Sequence, residues 1–325
     1  MPPRRVIGID AGGTKLLGGV VDEQLVVHHR VHRAWRGEDQ AETLGIFVGA
    51  VEEALAVAPD ADAVGLGLPA LVDREAGVSV WSNHLPLDGV PFRALMSERL
   101  GLPVTIDNDG NAALLAEHGH GAAQGARNAV LLALGTGIGG ALAIDGRLYR
   151  GARGFAGELG HVTTDLHGEL CPGDCPGRGC LETLVSGRAL GVGGERLARA
   201  QPESELGKLL ASGREITGGL VTELAHDGDA QARAVLDDVG AKLGIGLAGI
   251  VNALDPDVVV VGGGALAAAD LLLDPARTVL AERVLPPGMA PPPVVPARFG
   301  EEAGMIGAAL LAFEGAGAER EPRAS

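Results

Sequence analysis

Residues 4–22, RRVIGIDAGGTKLLGGVVD, contain two apolar stretches joined by a glycine-rich turn. Alternating apolar and β-branched residues predict a strand on each side of the turn, and a third strand follows in residues 25–35. Residues 128–151, NAVLLALGTGIGGALAIDGRLYRG, repeat the order strand, Gly/Thr turn, strand. Two copies of one unit in separate halves predict a duplicated α/β domain with a nucleotide held between the copies.

The composition agrees with an α/β protein of two domains. The 325 residues are 46% hydrophobic but only 2% aromatic, so a core must be built from small aliphatic residues, which suits helices on a parallel sheet. The length favours two domains or one large unit. We expect a smaller N-terminal lobe over 1–118, joined by a C-terminal helix at about 301–315, a larger lobe over 119–300, and a flexible tail at 316–325.

Hydrophobic periodicity places the remaining elements. Apolar residues at helical spacing predict helices over 39–57, 90–101 and 229–252, and a further helix that begins near Asn111. The segment DPDVVVVGGGAL has four valines before three glycines, which predicts a fully buried strand and a tight turn.

The net charge argues against two classes of partner. A formal charge of −16 repels nucleic-acid backbones and anionic lipid surfaces, although simple solubility explains the charge equally well. No apolar run is long enough to span a bilayer, and the start MPPRRV passes into a strand without a signal-peptide core. We therefore expect a cytoplasmic protein that binds neither nucleic acid nor membrane.

Three glycine clusters are candidates for binding phosphate, because glycine lets a backbone approach phosphate oxygens closely. Each alone is about as well explained by a structural turn, but their joint occurrence favours a nucleotide site. The spacing is not that of a Walker loop. Asp10 could hold the water shell of Mg²⁺. The clusters are Asp10, Gly12, Gly13, Thr14 and Lys15; Gly135, Thr136 and Gly137; and Gly262, Gly263 and Gly264.

The strand PVTIDND ends in Asp107, Asn108 and Asp109 before a helix. Any single one of these residues is explained by helix capping. Three consecutive polar residues exceed what capping needs, however, and a carboxylate there can accept a hydroxyl proton during phosphoryl transfer. Asp109 is therefore the candidate catalytic base.

All three cysteines of the chain lie in one short segment, as Cys171, Cys175 and Cys180. Clustered cysteines in a reducing compartment favour metal over disulfide, and three thiolates with one imidazole make a closed structural zinc site. The imidazole comes from His161 or from His167. Glu158, His161 and Glu182 are also suited to sugar hydroxyls, which both donate and accept hydrogen bonds.

These motifs together resemble the ROK family of bacterial sugar kinases and related repressors. The resemblance extends from about residue 5 to 315 and follows the order of the family motifs, which are IDAGGTK, GLGLPALVD, PVTIDNDGNAA, LGTGIGG, GELGH, the cysteine segment ending in GCLE, and VNALDPDVVVVGGG.

The resemblance implies an actin-like ATPase (ribonuclease H-like) fold whose two lobes close on sugar and ATP. It makes Asp109 the catalytic base, and it assigns the phosphate motifs to Asp10–Lys15 and Gly135–Gly137 and the adenosine motif to Gly262–Gly264. His161 would serve both zinc and sugar. The implied sugar ligands are Asn83, Asn108, Asp109, Glu158, His161 and Glu182.

The implied activity is transfer of the ATP γ-phosphate to a hexose, with glucose at its 6-hydroxyl the expected substrate. The alternatives are an N-acetylhexosamine kinase, a fructokinase, or a sugar-sensing regulator, for which only five residues precede the strand at Val6 and leave no room for a helix-turn-helix. Family analogy also predicts a homodimer or homotetramer.

Two departures from the family pattern bear on these expectations. The usual CxC pair is widened to Cys171 and Cys175, so either the segment bulges or one cysteine is not a ligand. Ala70 replaces a common glycine in the sugar-side loop, where its methyl group would narrow the pocket.

Overall fold

The structure is a computed structural model that describes residues 3–13, 15–34, 37, 39–83, 85–172 and 174–318. The chain divides into two compact units. The first comprises residues 1–125, 141–157 and 301–325, and the second comprises residues 126–140 and 158–300.

The first unit is built on a five-stranded sheet of order β3-β2-β1-β4-β7, in which β2 is antiparallel to its neighbours and β1, β4 and β7 are parallel. A hairpin, β5-β6, lies outside that sheet. The elements are β1 (Arg5–Ala11), β2 (Lys15–Asp22), β3 (Val27–Ala34), α1 (Gln40–Val57), β4 (Val64–Leu68), β5 (Leu71–Asp73), β6 (Val78–Trp81), α2 (Phe92–Leu100), β7 (Val104–Asn108) and α3 (Asp109–His120).

Both faces of this sheet are covered by helices. On one face, Phe47 of α1 meets Phe92 of α2 edge to face, with ring centroids 5.0 Å apart, inside a cluster of buried aliphatic residues. The other face receives the C-terminal helix α10 (Ala303–Ala318). Side chains at Gly8 and Gly65 would overlap the α10 backbone. Because these two glycines have no side chains, α10 packs closely on the sheet, as the aromatic-poor composition predicts.

The second unit contains most of a sheet of order β10-β9-β8-β11-β12, with β8, β11 and β12 parallel. The chain passes from the second unit into the first within β9. The elements are β8 (Ala129–Leu134), β9 (Ile138–Ile144), β10 (Arg147–Leu148), α4 (Leu181–Leu184), α5 (Gly187–Ala200), α6 (Glu205–Ala211), α7 (Gly218–His226), α8 (Ala230–Leu254), β11 (Val258–Gly262), α9 (Ala269–Arg283), β12 (Val294–Pro296) and short 3₁₀ turns at Leu159–His161, Gly264–Ala268 and Gly300–Glu302.

The predicted pattern of strand, glycine turn and strand occurs twice, in β1-β2 and in β8-β9. The division of the chain differs from the predicted lobes. The first unit is not the smaller one, its first segment runs to residue 125, and it includes residues 141–157. Helix α10 also extends through Ala318, where a flexible tail was expected from residue 316; residues 319–325 lie outside the described part of the chain. No helix in the described part is both long and apolar enough to cross a membrane.

Candidate active site

The first group of polar residues lies at the carboxyl edge of the first unit's sheet. Asp10 on β1, Gly67 on β4 and Asp107 on β7 are in register. A Cβ atom at Gly67 would lie 3.2 Å from Asp10 Oδ1 and 3.4 Å from the Cα atom of Asp109. Ligands of α/β sheets bind at strand ends of this kind. Because Gly67 has no side chain, Asp10 and the start of α3 pack closely against its backbone.

Asp10 is held in unusual surroundings. A side chain at Gly304, on α10, would overlap its carboxyl group, and Asp10 Oδ1 is buried without a hydrogen-bond partner among the described residues. Burial raises the pKa of Asp10 to about 7, although Lys15 opposes the rise. A carboxyl group so poorly solvated favours a cation or a proton as its partner.

The glycine turn after Asp10 is open to solvent. Gly12 N donates to Lys15 O over 2.8 Å, with Gly13 in the intervening bend. Lys15 Nζ pairs with Glu301 at 2.8 Å, and both side chains are more than half exposed. The phosphate candidate Thr14 lies outside the described residues.

Asp107, two residues before the predicted base Asp109, is buried and accepts several hydrogen bonds. Its Oδ2 accepts hydrogen bonds from Arg150 Nε at 2.8 Å and Nη2 at 2.7 Å. Its Oδ1 accepts from Asn108 N at 2.9 Å and Asn111 Nδ2 at 3.0 Å. Charge-assisted bonds of this geometry fix the start of α3.

Asp109 is the first residue of α3, not the last residue of the strand, so the helix begins two residues earlier than predicted. Asn108 is the N-cap and accepts from Asn111 N at 3.1 Å. Asp109 Oδ1 accepts from Asn108 Nδ2 at 3.0 Å and Gly110 N at 2.9 Å. The orientation of the carboxylate is thereby fixed.

Asn83 follows β6 and is half-buried. Its neighbour Ser82 donates to Pro69 O at 2.8 Å, and Asn108 Nδ2 donates to Ala70 O at 3.3 Å. The loop at 69–70 thus contacts the segments that carry both amides. The Ala70 methyl belongs to the apolar core, so its burial does not support the expected narrowing of a pocket.

In the second unit, the Gly135–Gly137 turn is held by hydrogen bonds. Gly135 N donates to Gly137 O at 2.8 Å, and Gly187 N donates to Gly135 O at 2.8 Å. Glu182 Oε2 accepts from Ile138 N at 2.7 Å. Thr136, at the tip of the turn, is exposed. The turn therefore presents its outer side to solvent while its base is fixed.

A second glycine turn lies beside the first. Gly262 is in register with Ala133, the strand residue two positions before Gly135. Gly263 has φ 82°, and a Cβ atom there would lie 2.5 Å from Leu134 O, so only glycine fits this close approach. Gly264, which follows, is exposed. The two predicted nucleotide turns are thus neighbours at one sheet edge.

Glu158 and His161 flank a 3₁₀ turn, with Glu158 Oε2 3.9 Å from His161 Nε2. Burial raises the pKa of Glu158; His161 opposes this rise and Glu182 adds to it. Because 41% of the Glu158 side chain is exposed, water screens part of the effect.

The cysteine segment forms a candidate metal site. Ligand atoms of His161, Cys171, Cys175 and Cys180 all lie within 4.8 Å of one another, and Cys171 Sγ is 3.5 Å from His161 Nδ1. The widened pair thus brings all three thiols together, and His167 is not in the cluster. Burial first, then the neighbouring thiols, raise the pKa of Cys171. Crowded buried thiols with one imidazole suit Zn²⁺, which stabilises thiolates.

Comparison with known proteins places the chain. The family model described as "ROK family" matches residues 6–314. The chain belongs to the ROK family. The Streptomyces coelicolor glucokinase is 35% identical over 95% of this chain and 97% of its own length. The ROK family glucokinase from Streptomyces griseus, solved in complex with glucose and AMPPNP, is 34% identical with a TM-score of 0.88, over 96% of this chain and 100% of that chain. The Caldicellulosiruptor bescii xylose repressor is 31% identical over 86% of this chain and 70% of its own length.

Membership confirms the predicted fold class, the actin-like ATPase fold of ROK sugar kinases.

Three residues of the candidate site were not predicted from the sequence. Arg150, Gly67 and Glu301 lie far along the chain from the groups that they contact. No local sequence pattern identified these three residues, and Arg150 pairs with Asp107 rather than with the nearby GELGH motif. The contacts themselves required the fold.

Proposed function

We propose that this ROK protein is an ATP-dependent hexose kinase that phosphorylates glucose. The observation that carries the proposal is the oriented Asp109 carboxylate at the start of α3, which packs against Gly67 close to Asp10 at the carboxyl edge of the sheet. A base in this setting suits phosphoryl transfer to an alcohol. The similarity to glucokinases, one of them solved with glucose and AMPPNP, supports the same activity.

The proposed reaction begins with the hexose 6-hydroxyl hydrogen-bonded to Asp109. Asn108 Nδ2 and Gly110 N hold Oδ1 of this carboxylate, so the side chain is oriented before the substrate binds. Asp109 aligns the hydroxyl and takes its proton as the oxygen attacks the γ-phosphorus. Arg150 and Asp107 keep the helix start fixed during this step.

The proposed sugar ligands are amides, carboxylates and one imidazole. Side chains that both donate and accept suit hydroxyl groups, and a missing hydroxyl leaves one of them unpaired at a cost of about 1–3 kcal/mol. The ligands are Asn83, Asn108, Asp109, Glu158, His161 and Glu182.

The nucleotide is assigned to the glycine turns. Backbone amides of the turn at 135–137 bind phosphate oxygens, and the neighbouring turn at 262–264 contacts adenosine. Lys15, Gly12, Gly13 and Thr14 add phosphate contacts. The orphaned Asp10 Oδ1 fits the hydration shell of Mg²⁺, which when bound offsets the charge of the phosphates.

The zinc proposal rests on the His161, Cys171, Cys175 and Cys180 cluster. Because His161 turns Nδ1 toward Cys171 and Nε2 toward Glu158, a metal there would fix the segment that presents Glu158. We expect about one zinc per chain. Metal analysis checks this, and chelation should lower both thermal stability and glucose affinity. Metal-free protein with unchanged stability and activity contradicts the proposal.

The deciding experiment is ADP release assayed against a panel of hexoses and N-acetylhexosamines. We expect kcat/KM for glucose to exceed that for N-acetylglucosamine at least roughly tenfold, about 1.4 kcal/mol of transition-state binding. The polar ligand set offers no apolar wall for an N-acetyl methyl group. A preference for the N-acetylated sugar would reassign the substrate and leave the kinase activity in place.

The second candidate is a sugar-responsive regulator, which the xylose repressor similarity favours. Sugar binding without sugar-dependent ADP release supports that candidate against the kinase. Two further expectations accompany the kinase proposal, a cytoplasmic location and a homodimer or homotetramer. Light scattering coupled to size-exclusion chromatography measures the oligomeric state.

A further inference from the structure

Three segments of the second unit meet at Ile138. The first is the turn at 135–137, which Ile138 follows as the first residue of β9. The second is the 3₁₀ turn Leu159–His161, where a Cβ atom at Gly160 would lie 2.5 Å from Ile138 O. The third is the start of α4, which supplies Glu182 to Ile138 N. The segments assigned to sugar and zinc thus contact the base of the nucleotide turn on two sides.

Glu182 makes the most direct of these contacts. Its side chain is buried, with 5% of the residue exposed, and Oε2 lies 2.7 Å from Ile138 N. A methyl group at Gly137 would overlap this carboxylate. Burying a carboxylate costs free energy unless hydrogen bonds compensate. The amide and the carboxylate therefore stabilise each other's position.

The covalent neighbours of Glu182 extend this contact. Cys180 of the metal cluster is two residues before Glu182, and Gly187, five residues after it, donates to Gly135 O. One short stretch of chain thus holds the turn at both ends. Any displacement of α4 must change the hydrogen bonds of the nucleotide turn.

We propose that Glu182 is a positioning residue for the nucleotide turn and couples it energetically to the sugar-binding segment. The inference rests on the proposed kinase function and adds a second role to a residue assigned there only to sugar. Because Glu182 accepts from Ile138 N, a hexose that holds Glu182 in this position also stabilises the arrangement of the turn that binds phosphate. Such coupling is reciprocal, so nucleotide must tighten glucose binding by the same factor.

The test is calorimetric binding of AMPPNP with Mg²⁺ to the zinc-loaded full chain, with and without saturating glucose. Glu182→Asp keeps the charge but withdraws the oxygen from Ile138 N. Glu182→Gln keeps an acceptor oxygen at full reach and loses the charge. Glu158→Gln, which removes a sugar ligand that bonds no turn amide in the described contacts, is the matched control.

Without glucose, we expect Glu182→Asp to weaken AMPPNP about tenfold, the worth of one charge-assisted hydrogen bond. Glu182→Gln should stay within about threefold of the unsubstituted protein, because its amide oxygen still accepts. Glu158→Gln should leave AMPPNP affinity unchanged while weakening glucose. In Glu182→Asp, the gain in nucleotide affinity on adding glucose should fall toward onefold.

Glu182→Asp with unaltered AMPPNP affinity in the absence of sugar overturns the inference while the kinase proposal stands. Equal losses in the Asp and Gln variants also overturn it, since charge and not the turn bond would then be responsible. An unsubstituted chain that binds neither AMPPNP nor glucose overturns both proposals. Circular dichroism and zinc content verify that each variant is folded.

Discussion

The glycine turn after β1 and the glycine turn at 135–137 have similar sequences, but different contacts hold them. The turn after β1 ends at Lys15, whose only described ion pair is with exposed Glu301, and the carboxylate before it, Asp10, has a buried oxygen without a described partner. The strand that leads into the turn at 135–137 carries no carboxylate. Its acid, Glu182, comes from a distant segment and is already bonded to Ile138 N.

The acids beside the two turns therefore differ in what they can still bind. A carboxyl group with an unmet hydrogen-bonding need in the first unit is ready to accept a cation or proton, and binding satisfies it. Under the proposed function, the hydrogen-bonded turn at 135–137 has its amides placed for phosphate before the nucleotide binds. The duplicated pattern therefore places one turn after a carboxyl group with an unpaired buried oxygen and holds the other turn by a distant acid, and four predictions follow from the proposed roles of the two units.

The largest effect is expected at Asp109, the proposed catalytic base. Asp109→Asn should lower kcat by about 10²–10⁴ because an amide cannot accept the proton. Calorimetry should show nearly unchanged glucose affinity, since the amide still hydrogen-bonds. Asp238→Asn, an exposed acid on α8, is the control. Near-normal kcat in Asp109→Asn removes this residue from its proposed role.

The matched pair Gly137→Ala and Gly12→Ala compares the turns directly. A methyl group at Gly137 meets the Glu182 carboxylate, whereas a Cβ atom at Gly12 lies 3.4 Å from its nearest neighbour, Lys15 O. Gly137→Ala should therefore destabilise the protein by about 1–3 kcal/mol, and Gly12→Ala by much less. Urea unfolding measures both. Equal losses would mean that the turns are equally constrained.

The third prediction uses the pKa of Asp10, raised to about 7 from 3.8 by burial. Because the folded state binds a proton at Asp10 more tightly than the unfolded state does, protonation of Asp10 stabilises the fold. This contribution to the free energy of unfolding is lost as pH rises from about 4 through 7. In ligand-free, Mg²⁺-free protein, Asp10→Asn should gain stability relative to the unsubstituted chain between pH 5 and pH 8, on the order of 2 kcal/mol. Urea unfolding at both pH values measures the difference. A pH-independent difference contradicts the raised pKa.

The smallest effect is expected at Glu301, which pairs with Lys15 and would compete with the phosphate that we propose Lys15 binds. Glu301→Gln should tighten AMPPNP binding by less than about fivefold, since an exposed ion pair contributes at most about 1 kcal/mol. The gain should vanish in high salt, where such pairs are screened. A salt-independent gain would point to a change in turn structure instead.

Local pattern predicted the elements that carry the site. Strands β1, β2, β8 and β9 follow from apolar runs around glycine turns, and α8 (Ala230–Leu254) lies within two residues of its predicted span. The grouping of the three cysteines with a histidine was also predicted, because all cysteines lie in one short segment, but the sequence left open His161 or His167 and the structure brings His161 to them. Periodicity reports local structure only. The Arg150–Asp107 pair, which helps to hold residues 141–157 in the first unit, joins groups 43 residues apart and required the fold.

The close packing of α10 on the glycines of β1 and β4 has a consequence for synthesis on the ribosome. The helix is made after all of the second unit, yet Ala309, Ala312 and Ala316 complete a core with Val6 and Val21. Domains usually fold in the order of their synthesis. Here one face of the first unit's sheet stays uncovered while residues 158–300 emerge and become free to fold, because α10 is made after them. Chaperones that shield apolar surface have most to protect during that interval, and a truncated message that ends before residue 303 leaves the face permanently exposed.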